Sequence, residues 1–288
     1  MCRLSCLLTA RIMCGGISVM MISQLVIAGL LSPNLSVQAQ PPLLHVMTWN
    51  VCAGTNAGCA LFRRSNAELA WHVAVLATEA DVVFLQEFCT DADADLEHQL
   101  ERRTGRNWSV RSAGLMYSDG SPYQCLPDRN GRPRGVLSVT LAVAGADTGL
   151  VVHALTSPPW GARRYAVCTA DRAFCTAHFS SGSSYDDRQK GRPYRHIQLR
   201  ELFKLGRGVI GGDLNLVPRD AAAAYKGRDE CDPRRRWTYV TRKRKIDYVF
   251  AGEGRVRKCF VDYARSTWSD HVPLHAWVRA GSTPPAPR

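Results

Sequence analysis

The sequence contains no Cys-x-x-Cys pair accompanied by histidines, so the usual structural zinc sites are excluded. It contains no internal repeat, which excludes a repeat architecture, and no long linker, which leaves room for one domain rather than a string of them. Its longest apolar run, residues 17–31 (ISVMMISQLVIAGLL), falls short of the ~20 residues that span a bilayer comfortably. Acids are scarce: 25 Asp and Glu stand against 37 Lys and Arg, a formal charge of +12. That balance favours an anionic partner such as nucleic acid, a phospholipid surface or a polyphosphate.

The first 39 residues have the pattern of an export signal. Arg3 and Arg11 are basic, the apolar run follows, and Val37-Gln38-Ala39 resembles a small-residue cleavage site. Cleavage is expected, with a retained membrane anchor as the alternative. Removal of the two arginines leaves +10 on residues 40–288. The expected organisation is a signal over 1–39, one large domain over 40–280 and a disordered tail over 281–288, where GSTPPAPR is rich in proline.

Cysteine usage agrees with a secreted protein. Eight of the 11 cysteines lie beyond the signal: Cys52, Cys59, Cys89, Cys125, Cys168, Cys175, Cys231 and Cys259. An even count in an exported chain implies disulfides. Cys52–Cys59 and Cys168–Cys175 are the most plausible pairs, because each closes a short loop; the rest of the connectivity is open.

Short apolar runs alternate with a few amphipathic segments. LLHVMTW and DVVFLQE are apolar on both faces, as buried central strands are. Ser65 and Glu68 form an S-x-x-E capping box, which predicts a helix over roughly 66 to 79. DADADLEHQLERR carries acids first and arginines last, the order a helix dipole prefers, and Gly105 stops it. RGVLSVTLAV and GLVVHAL read as paired strands across a glycine-containing turn. FCTAHF, GVIGG, KIDYVFAG and VPLHAWV read as further strands, the last with Pro273 at an edge or a strand start, and YRHIQLRELFKLG reads as a helix. Helices this irregularly interspersed argue for α+β, with sheets stacked face to face and helices outside.

Polar residues recur where the apolar runs end. Asn50 ends MTWN, Glu87 ends FLQE and His178 ends CTAH. Asp213 and Asn215 follow GVIGG, Asp247 lies in KIDYVF, and Asp270-His271 stands before VPLHAWV. Singly, Asn50 reads as a turn former, Glu87 as a surface acid and His178 as a hydrogen-bonded core histidine. Together they read as one cleft at a sheet edge.

These motifs, TWN, LQE, AHFSSG, GDLN, IDY and SDH, resemble the endonuclease/exonuclease/phosphatase family typified by deoxyribonuclease I, over nearly all of Met47 to Val278. The resemblance implies a four-layer α/β sandwich, with two stacked mixed sheets flanked by helices, a divalent cation and phosphoester hydrolysis. The cation is usually Mg2+, with Mn2+ or Ca2+ as alternatives. Glu87 and Asn50 are expected to hold it, with Asp270 joining. Asp213 would orient or deprotonate the attacking water, and Asn215 would bind a phosphate oxygen. His178 and His271 would face the phosphate, with Asp247 hydrogen-bonded to His271 and favouring its charged form. Arg134 stands where the deoxyribonuclease-like branch carries a phosphate-contacting arginine; a solvated arginine before a strand is the alternative.

The substrate expected is DNA. DPRRRWTYVTRKRKIDY interleaves Arg234, Arg235, Arg236, Arg242, Lys243, Arg244 and Lys245 with Trp237 and Tyr239 just before Asp247, and SPPWGARRYAV offers a second aromatic-basic loop. A sphingomyelinase would want an apolar, membrane-entering hairpin, and none is apparent. An inositol phosphatase suits an exported chain poorly. A genotoxin nuclease subunit and a catalytically dead binding module are further alternatives, although a dead module would be expected to have lost one of these polar residues. The chain is read as a monomer.

Overall fold

The computed structural model describes residues 42–145, 149–182, 187, 193–232 and 234–280, all within the unit Gln40–Arg288. The expected export signal and proline-rich tail lie outside the described residues.

The chain runs β1 (Leu43–Asn50), α1 (Asn66–Leu76), β2 (Val82–Cys89), α2 (Asp93–Thr104), β3 (Trp108–Gly114), β4 (Leu137–Ala144), β5 (Leu150–Leu155), β6 (Arg164–Thr169), β7 (Phe174–His178), α3 (Tyr194–Leu205), β8 (Val209–Asp213), β9 (Arg228–Glu230), β10 (Asp247–Gly252), β11 (Val256–Val261) and β12 (Leu274–Arg279). The strands form two six-stranded sheets, ordered β11-β12-β1-β2-β4-β3 and β5-β6-β7-β8-β10-β9. Each sheet is mixed: β1–β2 and β7–β8 are parallel, and the other ladders are antiparallel.

Alternation along each strand builds four layers. Val46, Val82, Phe84, Leu141, Val249 and Leu274 meet between the sheets. Met47, Trp49, Val83 and Leu85 point the other way, onto Leu69 and Val73 of α1 and Leu96 and Leu100 of α2. On the far side, Cys175, Ile210 and Phe250 pack against Leu199 and Leu202 of α3. Burial on both faces is why these strands read as unbroken apolar runs.

Local signals hold at the helix ends. The Ser65–Glu68 capping box forms reciprocally, and α1 runs from Asn66 to Leu76, three residues short of the expected end. Gly105 adopts a left-handed conformation (φ 66°) after α2, where an L-residue would be strained. Two expectations fail. The segments read as one hairpin, β4 and β5, lie in different sheets: β4 pairs with β2 and β3, and β5 with β6. The chain changes sheet there, and two alternating strands with a glycine between them cannot reveal that. Arg164 and Tyr165, read as part of a loop, open β6. Pro273 directly precedes β12, a strand flanked on both sides, so the strand-start reading holds and the edge reading does not.

Four disulfides brace the domain: Cys52–Cys59, Cys89–Cys125, Cys168–Cys175 and Cys231–Cys259. Cys168 and Cys175 sit opposite each other across the β6–β7 ladder. Cys231–Cys259 ties a residue just after β9 to β11, so it joins the edges of the two sheets. Alkylation of protein unfolded without reductant should find eight protected cysteines that become reactive only on reduction. Loop-closure entropy ranks the bridges, so removing Cys89–Cys125, with 36 residues of separation, should cost roughly 4 kcal/mol, and Cys52–Cys59, with 7, roughly 2. Equal losses in denaturant melts of the paired serine variants would contradict that ranking.

Candidate active site

Strand register assembles the site. His178 ends β7 directly opposite Asp213 at the end of β8, and Asp213 in turn faces Asp247 at the start of β10. Three polar side chains, 69 residues apart in sequence at the extremes, therefore share one row of a single sheet. Gly212 makes the row possible. It takes φ 127°, and a Cβ there would run into the Ala177 carbonyl. The other sheet contributes Asn50, which pairs with Gln86 across the parallel β1–β2 ladder.

A bulge aims Glu87. In the β2–β4 ladder Gln86 faces Val139 and Phe88 faces Ser138, so Glu87 is the extra residue. It takes a left-handed conformation, φ 54°. Bulges of this kind redirect one side chain while its neighbours stay in the pleat. Gln86 remains inside, donating to Thr48 and Thr176 between the sheets, and Phe88 remains in the helix-side core.

The centre of the cluster is one oxygen, Oδ2 of Asp213. Asn50 Nδ2 donates to it at 3.1 Å, and Nε2 of both His178 and His271 stands 3.7 Å away. The opposite ring nitrogen of His271, Nδ1, lies 2.8 Å from Asp247 Oδ2. All five of these side chains are buried. Burial alone would discharge His271, but Asp247, Asp213 and Asp270 outweigh it and raise its pKa to about 10. Burial and the neighbouring Asp247 raise Asp213 above the ordinary carboxylate range. His178 moves the other way: burial, Arg164 and charged His271 hold it well below its ordinary value, so the ring is neutral. Its Nδ1 is buried without a hydrogen-bond partner. A buried ring nitrogen left open in this way is available to a bound ligand.

The expected metal ligands stand as follows. Burial and the charge of Asp270 raise Glu87, so two carboxylates at the end of one sheet repel each other, a situation a hard divalent cation relieves. Asn50 belongs to that set differently from expectation. Its Oδ1 accepts from the Cys52 backbone N–H at 3.0 Å, which turns its Nδ2 toward Glu87 (3.2 Å) and Asp213. Asn50 therefore orients carboxylates through its amide nitrogen. Asp270 is held by Asn56 Nδ2 at 3.3 Å, from the loop that Cys52–Cys59 closes. Asp213, Asp247 and His271 also lie close enough together to hold an ion. The Nδ1–Asp247 hydrogen bond instead gives this trio a complete role as a bridged imidazolium.

The architecture and the sequence agree on a family. A model of the endonuclease/exonuclease/phosphatase family matches residues 47–271. The chain belongs to the endonuclease/exonuclease/phosphatase family. Members of this family are divalent-metal-dependent hydrolases of phosphoester bonds. The fold is similar to that of an endonuclease/exonuclease/phosphatase from Beutenbergia cavernae, at 22% identity and TM-score 0.60 over 85% of this chain and 73% of that one. It is also similar to D. rerio TDP2 complexed with single strand DNA product (14% identity, TM-score 0.51, 83% and 99% of the chains). A third match is a mannosyl-6-phosphatase of Bacteroides thetaiotaomicron (16%, TM-score 0.51, 81% and 98%). No curated protein matches in sequence.

Against the family pattern, Arg134 is a correction. It is fully buried, donating to the Ala53 carbonyl at 2.8 Å and to Cys89 Sγ at 3.1 Å. It braces the loops around the Cys89–Cys125 bridge and is closed to solvent. The buried cation of the site is Arg164, at the start of β6, whose charge acts on both Glu87 and His178. Its sequence context, a pair of arginines in an apparent loop, disguised it. Ser269 was also passed over: its hydroxyl donates to the Asn50 carbonyl at 2.8 Å and accepts from the His271 N–H at 3.0 Å, tying the Asp270–His271 corner to β1. Asn215 is where the motif puts it, with φ 50°, its N–H on Asp213 Oδ1 and one amide hydrogen on the Phe179 carbonyl.

Two variants test this division of labour. Glu87→Gln should raise the metal concentration for half-maximal hydrolysis by on the order of 10- to 100-fold; full activity at limiting metal would refute the assignment. His178→Ala should cost ~100-fold or more in rate, as for a positioned acid–base group. Its melting temperature should be unchanged or higher, because an unsatisfied buried ring is removed. A lower melting temperature with catalysis intact would support the core reading.

Proposed function

We propose that this protein is an exported, divalent-metal-dependent endonuclease acting on DNA. The observation that carries the substrate is a basic hairpin at the rim of the site. Thr238 and Tyr239 pair back onto Arg244, and Tyr239 bridges to His271 with ring centroids 4.9 Å apart. Arg242, Lys243 and Arg244 are all exposed on that hairpin. Val240 N–H donates to the Asp270 carbonyl, so the cations ride on the catalytic corner itself. A cationic rim against the reacting phosphate suits a substrate with many phosphates. The DNA product bound by TDP2 supports this reading, whereas the sugar phosphatase shows that the fold also serves small substrates. Four disulfides support the exported compartment. No described helix is long and apolar enough to cross a membrane.

The basic segment is narrower than its sequence suggests. Lys245 is buried, ion-paired to Glu230 at 3.0 Å, and Arg236 is paired to Asp232 at 2.8 Å. Trp237 packs on Tyr263 with centroids 4.3 Å apart. Lys245 is closed to a strand, and Arg236 and Trp237 are already engaged within the protein.

In this reading the scissile phosphate lies over Asp213 Oδ2. Asp213 takes a proton from the attacking water as its oxygen bonds to phosphorus, and the bond to the leaving oxygen breaks. An acid held above its ordinary pKa is the better base for that transfer. The His271 imidazolium and Arg164 stabilise the charge that grows on the phosphoryl oxygens. Neutral His178 donates a hydrogen bond, and Asn215 orients a further oxygen. A divalent cation at Glu87 and Asp270, when bound, offsets charge on the phosphate and its leaving oxygen.

Neutralising Arg242, Lys243 and Arg244 together should weaken cleavage of plasmid and flatten its fall between ~50 and ~200 mM salt. Hydrolysis of a small phosphodiester should change little. Cleavage of sphingomyelin without cleavage of plasmid would move the protein to the lipid branch of the family.

A further inference from the structure

A second feature lies on the flank of the sandwich, away from the catalytic row. β9 is the edge of one sheet and β11 the edge of the other, and a cavity of about 690 Å³ opens between them. Its lining is cationic: Arg228, Arg234, Arg235, Arg257 and Lys258. Three acids share the wall, but two are neutralised within the protein, Glu230 by Lys245 and Asp232 by Arg236. Only Asp229 remains against five cations, and among the described residues no carboxylate lies within ion-pair distance of those five.

Three details mark this as more than a solvated charged surface. Arg228 stacks on Phe203 at 4.6 Å, which fixes its guanidinium, and its Nη1 is buried with no hydrogen-bond partner. A buried, unsatisfied cationic N–H is costly and is relieved by an anion. Tyr225 lines the same wall beside Arg235, supplying an aromatic face among the cations. The Cys231–Cys259 bridge clamps the two sheet edges at the cavity, so its width is fixed by a covalent bond.

The groove is also in reach of the reaction. Arg236 lines it, and three residues on Tyr239 leans against His271. Three residues of chain span at most ~11 Å. Phosphates along one strand of a duplex are spaced by ~3.4 Å of axis, so the gap corresponds to a few nucleotides.

We infer that the groove between β9 and β11 is a binding site for the phosphate backbone of one nucleic-acid strand a few nucleotides from the scissile bond. This rests on the nucleic-acid reading above, but its test does not depend on cleavage. Binding of a short, labelled single-stranded DNA oligonucleotide is measured by fluorescence anisotropy across a salt series with the divalent metal chelated. The exposed triple variant Arg235→Ala, Arg257→Ala, Lys258→Ala is compared with the unaltered protein, and thermal melting confirms an unchanged fold. The expected result is at least ~10-fold weaker binding and a salt slope shallower by about 2, from three lost phosphate contacts. Arg228→Gln should weaken binding in the same direction. Unchanged affinity and slope in the triple variant would overturn the inference even if the protein cuts DNA. Loss of binding to phosphatidylglycerol vesicles with oligonucleotide binding intact would overturn it in favour of a lipid surface. If the protein cuts no DNA and the triple variant still loses the oligonucleotide, the groove stands and the catalytic reading falls.

Discussion

The site depends on a buried imidazolium held between carboxylates. His271 is enclosed by protein, an environment that disfavours its charge, and keeps that charge because Asp247 bonds one ring nitrogen while Asp213 faces the other. Remove the pairing and a charge is stranded in the interior, which costs far more than the pair gains. The same arrangement fixes the rest. A charged His271 helps keep His178 neutral, and Asp247 helps raise Asp213, so neighbouring groups of ordinary type are driven into different protonation states. Three residues at the ends of apolar runs thus take three different charge states: His178 neutral, His271 charged, and Asp213 held above the ordinary carboxylate range.

That electrostatic cluster is useful only if the backbone presents it at one edge, and covalent and conformational constraints do so. The β7–β8–β10 register lines up His178, Asp213 and Asp247, and a left-handed bulge delivers Glu87 from the other sheet. The Cys52–Cys59 loop brings Asn56 to Asp270, and Cys52 offers the N–H that turns the Asn50 amide. Left-handed non-glycine residues are uncommon, and three of them, Cys52, Glu87 and Asn215, border this site.

Much of this was legible in sequence because polar residues ending apolar runs have few reasons to recur. The strands carrying Asn50, His178, Asp213 and Asp247 are all legible as short apolar runs, and the α1 cap as an S-x-x-E pattern. What failed shares one cause: the signals were local and the answers were not. The sheet change between β4 and β5 leaves no mark on either strand. Arg134 and Arg164 are both arginines beside apolar segments, and only their three-dimensional neighbours, a carbonyl and a disulfide for one and the catalytic cluster for the other, tell them apart. Lys245 sits in a run of exposed bases, yet β10 begins two residues later and draws it inside to Glu230.

The charge of His271, on which the site depends, can be observed directly. In metal-free protein labelled with 15N at histidine, both ring nitrogens of His271 should carry protons at neutral pH and remain protonated until the pH approaches about 10. Asp247→Asn should lower that titration markedly. A ring already neutral at neutral pH, titrating near the ordinary 6.5, would contradict the clamp and the roles assigned around it.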